Sequence, residues 1–307
     1  MPRVATVGAG LIGRSWAIVF SRAGMDVALH DSVEGVAGRS REIIAADLEE
    51  LASQGVVQDA AAALSHVRVA ASLRDAIEGA ELVQESVPET LDAKIAVFAE
   101  LDALAPPEVI LASSTSGIVA SSFTEALAWR SRCLVGHPVN PPHLAPVVEV
   151  VGAPWTSPEV VERASAIYAQ VGQSPVIVRK EIDGFIINRL QAALLSEAFR
   201  LVGGGYVSPQ DLDKTIKDGL GLRWAFMGPF GTIELNAPGG IPDYCQRFGA
   251  GWERMSNAEP GTYSGKNLEA VMSQWEALDG EALAERTRWR NRRLAALGLH
   301  KKSQPDE

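Results

Sequence analysis

The sequence predicts an α/β protein in which a doubly wound, mostly parallel sheet is followed by an all-helical domain. Two observations predict the sheet: short β-prone runs alternate with longer helical stretches up to residue 182, and a glycine-rich turn follows the first run. The helical domain is predicted because strand-like runs largely stop after that point. We therefore expect two domains, at residues 1–182 and 183–307.

Each candidate strand is a short run rich in β-branched and other apolar residues. Each candidate helix is a longer stretch near such runs; in the last one, Ser157 can cap the start and Gly172 follows the end. The candidate strands are Val4–Val7, Val27–Leu29, Val67–Ala70, Leu82–Glu85, Val109–Ala112, Cys133–Gly136, Val147–Val150 and Val176–Val178. The candidate helices are Ser15–Arg22, Gly35–Gln54, Leu73–Glu78, Leu91–Leu104, Ala120–Ala126 and Pro158–Val171.

The second domain is expected to consist of helices. The stretch Phe185–Val202 is apolar nearly all round, which predicts a helix buried between domains or subunits. Ser208 and Asp211 then favour the start of another helix, because serine is a good N-cap and an acid stabilises the first turn.

The composition limits the classes of partner. The chain has 307 residues, 47% of them hydrophobic, a formal net charge of −10 and a pI of about 5.1. Nucleic acids and anionic membranes require a basic surface, so we expect neither as a main partner. Cys133 and Cys245 form no disulfide framework, and no signal peptide or membrane-spanning run is evident, which favours the cytoplasm. No His/Cys cluster has metal-ligand spacing, so no metal is expected.

The first candidate strand leads into Gly8, Gly10 and Gly13, which have the G-x-G-x-x-G spacing of a dinucleotide-binding turn. The first glycine permits the tight turn, the second lets the backbone approach a pyrophosphate, and the third lets helix and strand pack closely. Leu11 and Ile12, between the last two glycines, are expected to contact the cofactor as well. Free N–H groups at the start of the following helix would bind the phosphates. This context predicts a Rossmann-type nucleotide-binding domain.

Asp31 ends the second candidate strand, about 20 residues after the glycines. A carboxylate at this position accepts hydrogen bonds from ribose hydroxyls. It would repel a 2′-phosphate by about 4 kcal/mol at ~4 Å and an effective dielectric of ~20. The next three residues, Ser32–Glu34, include no arginine that could offset this repulsion. The sequence therefore predicts NAD rather than NADP as the cofactor.

Three polar loops are the candidates for the reaction site. They are Ser113–Gly117, Gly136–Pro142 and Asp183–Leu190. Two of them follow candidate strands, and the third enters the apolar helix. Because ligands of doubly wound sheets bind at the carboxyl ends of the strands, we expect the chemistry to take place in these loops.

The residue types in these loops suit the oxidation of an alcohol. This reaction needs a base that takes the hydroxyl proton while hydride leaves the carbon, and His137 is the candidate. Glu149 lies in an apolar run, where a carboxylate needs a partner, so we expect it to orient the imidazole. Ser116 and Asn188 can hydrogen-bond to the oxygen that changes charge. A hydrolase triad of Ser116, His137 and Glu149 is an alternative, but the chain lacks a G-x-S-x-G turn.

These motifs closely resemble the 3-hydroxyacyl-CoA dehydrogenase family, from residue 3 to about residue 245. The most specific parts are Ser114–Ser116, Gly136–Pro141 and Gly184–Leu190. The resemblance implies that the histidine is the base, the glutamate its orienting partner, and the serine and asparagine substrate contacts. It also implies that Glu89 and Lys94 touch the cofactor.

Within that family the chain is most similar to the lambda-crystallin, or L-gulonate 3-dehydrogenase, branch. Three segments carry this likeness: His137–Pro142, Ser196–Val202 and Gly219–Pro229. The likeness implies NAD-dependent oxidation of a 3-hydroxy acid, here L-gulonate or a similar sugar acid, to a 3-keto acid. It also suggests a homodimer.

Two departures from the acyl-CoA members favour a free acid as substrate. Arg223 lies in a segment that is shorter in those members, and an arginine near the site can bind a carboxylate in a bidentate manner. The helix after the second strand contains no lysine between Glu42 and Glu50, where acyl-CoA members carry a lysine-bearing surface for the CoA phosphates. An anionic CoA moiety would therefore bind poorly.

Three other functions remain open at this point. One is a short-chain 3-hydroxyacyl-CoA dehydrogenase. Another is a carnitine dehydrogenase, in which Trp224, Trp252 and Tyr244 could form an aromatic cage for a trimethylammonium group. The third is a non-catalytic, NAD-binding or crystallin-like structural protein, which the intact candidate catalytic residues disfavour.

Overall fold

The computed structural model describes residues 3–256, 258–275 and 278–304. Its sheet consists of β1 (Arg3–Val7), β2 (Asp26–His30), β3 (Val67–Val69), β4 (Ala80–Glu85), β5 (Ile110–Ser113), β6 (Cys133–Pro138), β7 (Val147–Gly152) and β8 (Ser174–Val178). The strands lie in the order β3-β2-β1-β4-β5-β6-β7-β8. All neighbours are parallel except β6 and β7, which are antiparallel. The predicted Rossmann-type, mostly parallel sheet is confirmed, and each candidate strand is found.

Seven helices flank these strands in the described part of the first 188 residues. They are α1 (Leu11–Arg22), α2 (Val36–Ser53), α3 (Ala60–Ser65), α4 (Leu73–Ile77), α5 (Leu91–Leu104), α6 (Ser121–Thr124) and α7 (Pro158–Gln170). Helix α1 begins four residues earlier than predicted, because the glycine turn itself forms its first turn. Helix α3 was not predicted; the carboxylate of Asp59 caps it by accepting a hydrogen bond from the N–H of Ala62 at 2.9 Å.

The two faces of the sheet are covered by separate apolar clusters, as a doubly wound fold requires. On one face, Trp16 and Phe20 of α1 stack with ring centroids 5.4 Å apart, and Tyr168 of α7 packs against Trp16. On the other face, Phe98 of α5 contacts Phe123 of α6 edge to face at 4.7 Å. This packing holds the carboxyl ends of the strands, where the polar loops begin, on a rigid base.

The chain divides into two compact units, Met1–Asn188 with Leu283–Glu307 and Arg189–Ala282. This division departs from the expected 1–182 and 183–307 chiefly at the carboxyl end, where the last helix belongs with the nucleotide-binding unit. In agreement with this placement, Ala295 of the last helix is buried. The side chain of Leu299, also on that helix, lies next to Gly55, with its Cδ1 3.9 Å from the position of a Cβ there. The last helix is amphipathic only weakly in sequence and is rich in arginine, so no pattern indicated which unit it would join.

Helices make up the second unit, and none of its described residues forms a strand. They are α8 (Ile187–Gly203, which begins in the first unit), α9 (Pro209–Lys214), α10 (Gly221–Trp224), α11 (Pro229–Glu234), α12 (Gly240–Ser256) and α13 (Gly265–Met272), with a π-helical turn at Thr215–Leu220 between α9 and α10. Helix α14 (Gly280–Ser303) follows and returns to the first unit. The all-helical character of the region after residue 182 is confirmed.

Helix α8 is not buried within the single chain, although its composition predicts a buried helix. Leu190 is 63% exposed, and Leu194 and Leu195 are 38% and 41% exposed. Among its residues, only Val202 is buried. The sequence predicts that another domain or another subunit covers this helix. These three leucines are exposed in the single chain.

Within the described ranges, no helix combines the length and the apolar character needed to cross a bilayer.

Candidate active site

The glycine turn after β1 fits a dinucleotide. Gly8 has a φ of 92°, and a Cβ there would come within 2.5 Å of the carbonyl oxygen of Ser86. A Cβ at Gly13 would overlap the carbonyl oxygen of Gly8. Gly10, by contrast, caps α1 in an extended conformation, and a Cβ there meets no atom within 4 Å. The turn is thus closed where helix and strand meet and open where a pyrophosphate would approach the start of α1.

Asp31 follows β2 and stabilises the same turn. Its Oδ2 accepts a hydrogen bond from the N–H of Ala9 at 2.8 Å, and its Oδ1 accepts one from the N–H of Val33 at 2.9 Å. The half-buried carboxylate keeps lone pairs for ribose hydroxyls. The two other predicted cofactor residues on this turn differ in exposure, since Leu11 is 56% exposed and Ile12 packs against the core.

His137 and Glu149 form a buried pair on the two antiparallel strands. They lie opposite each other in the register of β6 and β7, so their side chains share one face of the sheet. The imidazole Nδ1 is 2.8 Å from Oε2 of the carboxylate. Both side chains are at least 93% buried. The strand pairing thus brings together two residues that are twelve positions apart in the sequence.

The second oxygen of Glu149 is held by the backbone at the start of α8. Its Oε1 accepts hydrogen bonds from the N–H groups of Ile186 and Ile187, at 2.8 and 3.1 Å. Phe185, just before them, is fully buried with a φ of 49°, and its ring lies 5.4 Å from that of His137. Burial of Glu149 raises its pKa, but the hydrogen bonds from His137 and the two N–H groups outweigh burial and leave the pKa lowered. Glu149 is therefore a carboxylate at neutral pH.

Ser116 and Asn188 are joined by a hydrogen bond. The Nδ2 of Asn188, in the first turn of α8, donates to the carbonyl oxygen of Ser116 at 2.7 Å. Glu89 holds the same loop from the other side: its Oε1 accepts from the N–H of Ser116 at 2.8 Å and from the hydroxyl of Thr115 at 2.6 Å. The structure thus brings the predicted serine, asparagine and Glu89 into one connected group.

Family models match nearly the whole chain. Residues 3–182 match the 3-hydroxyacyl-CoA dehydrogenase, NAD binding domain, and residues 184–277 match the 3-hydroxyacyl-CoA dehydrogenase, C-terminal domain. The chain belongs to the 3-hydroxyacyl-CoA dehydrogenase family. It is accordingly an NAD-dependent oxidoreductase that acts on a CH–OH group, with NAD as its cofactor.

Known relatives are similar to this protein along almost the full length of both chains. Lambda-crystallin of Oryctolagus cuniculus is 42% identical over 311 residues, which cover 98% of this chain and 97% of the relative. L-carnitine dehydrogenase of Pseudomonas sp is 37% identical, with 95% and 92% covered. A solved structure of 5-formyl-3-hydroxy-2-methylpyridine 4-carboxylic acid 5-dehydrogenase, an NAD+-dependent dismutase, superimposes with a TM-score of 0.85 at 27% identity and covers 99% of this chain and 100% of that one.

Lys94 of this family member lies in a buried ion pair. Its Nζ is 2.8 Å from Oε1 of Glu85 and 3.7 Å from Oε2 of Glu89, and the lysine side chain is 1% exposed. Burial raises the pKa of Glu85, although Lys94 and the hydroxyl of Ser113 partly oppose this by hydrogen bonding. Sequence reasoning missed Glu85; an acid at the carboxyl end of a candidate strand was the available signal.

A buried polar network that the sequence did not reveal lies beneath the site. The Nε2 of Gln84 donates to the hydroxyl of Ser114 at 2.7 Å and to the carbonyl oxygen of Gly136 at 3.3 Å. The hydroxyl of Tyr168 donates to Oε1 of Gln84 at 2.5 Å, and the indole N–H of Trp16 donates to Ser114 at 3.1 Å. A Cβ at Gly136 would overlap the tyrosine hydroxyl. The network therefore fixes the backbone one residue before His137.

Arg223 lies on α10 in the second unit and is exposed. The hydrogen-bonded groups described above belong to the first unit, and Arg223 is not one of their members. In the residues that the structure describes, no group of three or more His, Cys, Asp or Glu side chains could hold a metal ion.

Proposed function

We propose that this protein oxidises a free 3-hydroxy acid to a 3-keto acid, and that the substrate is L-gulonate or a similar sugar acid. The observation that carries the proposal is the buried pair of His137 and Glu149, together with the bonded pair of Ser116 and Asn188. NAD, when bound, supplies the hydride acceptor. The residues proposed to bind it are Gly8, Gly10, Leu11, Ile12, Gly13, Asp31, Glu89 and Lys94.

His137 is the proposed base. Its Nδ1 faces Glu149, which leaves Nε2 for the hydroxyl group of the substrate. Nε2 takes the proton from the C3 hydroxyl as hydride leaves C3, and the C–O bond becomes a carbonyl. The carboxylate of Glu149 then stabilises the imidazolium, and its bonds to the start of α8 keep the imidazole oriented.

Ser116 and Asn188 are the proposed contacts of the reacting oxygen. The amide of Asn188 uses one N–H for the carbonyl of Ser116 and retains further hydrogen-bonding capacity. The hydroxyl of Ser116 lies 3.3 Å from Oε1 of Glu89, a weak contact from which it can turn to a substrate. Donors fixed in this way stabilise an oxygen whose charge changes during reaction.

Arg223 is proposed to bind the carboxylate of the substrate. Its guanidinium is exposed and can form two parallel hydrogen bonds to a carboxylate. The acidic surface of α2, with Glu42, Glu49 and Glu50, disfavours the phosphates of CoA. The 42% identity to lambda-crystallin supports a place in that branch of the family.

A second candidate function is the oxidation of carnitine. It is supported by the 37% identity to L-carnitine dehydrogenase and by the exposed Trp224 and Trp252, with Tyr244 on α12, which could contact a quaternary ammonium group. Oxidation of short-chain acyl-CoA substrates and a non-catalytic role are the remaining alternatives.

A substrate panel tests the proposal directly. Purified protein and NAD are mixed with L-gulonate, 3-hydroxybutyrate, carnitine and 3-hydroxybutyryl-CoA, and NADH formation is followed by absorbance. We expect kcat/KM to be highest for L-gulonate. Preference for carnitine or for the thioester would replace the proposed substrate, and no turnover with any compound, by a protein that binds NADH, would support the non-catalytic role.

We also propose a cytoplasmic homodimer. The exposed leucines of α8 support a second copy as the partner, because apolar side chains at helical spacing are usually covered. Light scattering after gel filtration should give twice the chain mass of 32.7 kDa. Substitution of Leu190 by Glu should shift this toward the monomer, and an unaltered dimer would rule out this face.

A further inference from the structure

A polar pocket lies on the nucleotide-binding unit between α1, α2, the loop after β6, and α14. Its volume is about 210 Å³, more than that of the ~150 Å³ cavities that hold a benzene molecule. Leu11, directly after Gly10, and Asn140, three residues after His137, both line it. The pocket is therefore built from the segments that also carry the glycine turn and the proposed base.

Two buried polar atoms of residues that line the pocket have no hydrogen-bond partner. They are Nε of Arg14, on α1, and Nδ1 of His143, in the loop after β6. Buried polar atoms in folded proteins are nearly always satisfied, so these two leave unused hydrogen-bonding capacity in the wall of the pocket, behind the groups that face the cavity. The pKa of His143 is lowered to about 4 by burial and by Arg22 and Arg290, so the imidazole is neutral and can serve either as donor or as acceptor.

The rest of the lining combines hydrogen-bond donors with acceptors. Arg290 and Asn291 come from α14, and Asp47, Glu50 and Gln54 come from α2. Hydroxyl groups match such a lining because each can donate to a carboxylate and accept from a guanidinium. Within the lining, Arg290 donates to Oδ1 of Asn291 at 2.9 Å and Gln54 donates to Oε1 of Glu50 at 3.2 Å. A hydrocarbon chain would take these groups out of water without adding a hydrogen bond to them, at a cost in binding.

We propose that this pocket binds the hydroxyl-bearing part of the substrate and that α14 is a specificity element of the enzyme. The inference rests on the proposed function, since it concerns the same substrate. Thr287, Arg290 and Asn291 face the pocket together because residues three and four apart share one side of a helix. The last helix thus contributes to the choice between a polyhydroxylated acid and an unsubstituted one.

Two arginines of α14 provide a matched comparison. Arg290 lines the pocket, whereas the exposed Arg292 is not among the residues that line it. In Arg290→Ala, we expect KM for L-gulonate to rise about tenfold or more, since a hydrogen bond to a charged group is lost. The kcat/KM for 3-hydroxybutyrate should stay within about twofold. Arg292→Ala should leave both substrates unchanged.

An equal loss for both acids, or no loss for either, overturns the proposal. A binding experiment separates this outcome from failure of the proposed function. D-gluconate is titrated calorimetrically into the protein without NAD, so that no turnover is needed. We expect wild type and Arg292→Ala to bind it alike and Arg290→Ala to bind at least about tenfold more weakly. Equal binding by all three proteins, or none by wild type, overturns the pocket assignment even if the enzyme oxidises L-gulonate.

Discussion

The imidazole Nδ1 of His137 and the carboxylate Oε2 of Glu149 lie 2.8 Å apart across the antiparallel β6–β7 pair. In Glu149→Gln, we expect kcat to fall by about 10²–10⁴-fold, because an amide cannot stabilise the imidazolium or keep the required tautomer. Steady-state kinetics measures this loss. The affinity for NADH, measured by fluorescence titration, should stay unchanged, and a variant with near-normal kcat would contradict the assigned role.

The hydrogen bonds of Asp31 lead to a prediction about the cofactor. In Asp31→Ser, we expect the Kd for NAD to rise at least about tenfold, since the carboxylate can no longer accept from the ribose hydroxyls. Discrimination against NADP should shrink because the charge repulsion is gone. Cofactor titrations with both nucleotides test this, with Glu34→Ser as the matched control for loss of a nearby acid. Unchanged discrimination in Asp31→Ser would show that another residue sets it.

The buried network of Gln84 and Tyr168 should affect both stability and turnover. Tyr168→Phe leaves the Oε1 of Gln84 without its donor, so we expect a loss of about 1–3 kcal/mol in the free energy of unfolding. Because Gln84 also holds Gly136, next to His137, kcat should fall by about tenfold through misplacement of the imidazole. Urea denaturation and kinetics measure the two effects. Tyr206→Phe, at an exposed position, serves as the control.

Protonation of His143 should weaken the fold as the pH falls. In the folded protein this histidine has a pKa of about 4, against 6.5 ordinarily. Between pH 4 and pH 6.5 the unfolded chain carries a proton on His143 that the folded chain does not carry. The free energy of unfolding is therefore at its full value above about pH 6.5 and decreases as the pH falls toward 4. The loss should be on the order of 2–3 kcal/mol.

Urea midpoints at pH 7 and pH 4.5 test this for wild type and His143→Gln. The variant should lose less stability on acidification than wild type does. The corresponding change at the exposed His300 should leave the wild-type pH dependence in place. An identical pH dependence in His143→Gln would assign the acid sensitivity to other groups.

Arg223 allows the nature of the substrate to be tested. In Arg223→Leu, KM for free hydroxy acids should rise by about tenfold or more, because a charge-assisted bond to the carboxylate is lost. KM for a thioester, which has no free carboxylate, should change little. Arg254→Leu, at another exposed position of the second unit, is the control. Equal changes in KM for both substrate types would remove the carboxylate role.

The sheet was predictable because its strands are apolar runs whose spacing admits few alternatives. The glycine turn was predictable for a similar reason, since Gly8 and Gly13 occupy positions where any Cβ would meet backbone. The pairing of His137 with Glu149 was inferred because a carboxylate in an apolar run needs a partner. The first two inferences depend on constraints within one segment, and the third on a buried acid in one segment that needs a partner from another.

The polar network was not predictable, because its members are contributed by separate elements. Tyr168 and Gln84 are 84 residues apart, and nothing in either segment indicates the other. The placement of α14 was missed for the same reason. Its sequence is polar and arginine-rich, and only the three-dimensional fold shows that Arg290 lines a pocket with residues of α1 and α2.

The position of α14 has a consequence for the order in which the molecule is built. The nucleotide-binding unit is discontinuous, because residues 189–282 intervene between its two parts. During translation, every strand of the sheet is synthesised before α14. The residues of α14 that line the pocket are synthesised only after the whole second unit. A nascent nucleotide-binding unit could therefore fold and acquire NAD well before it is able to select its substrate.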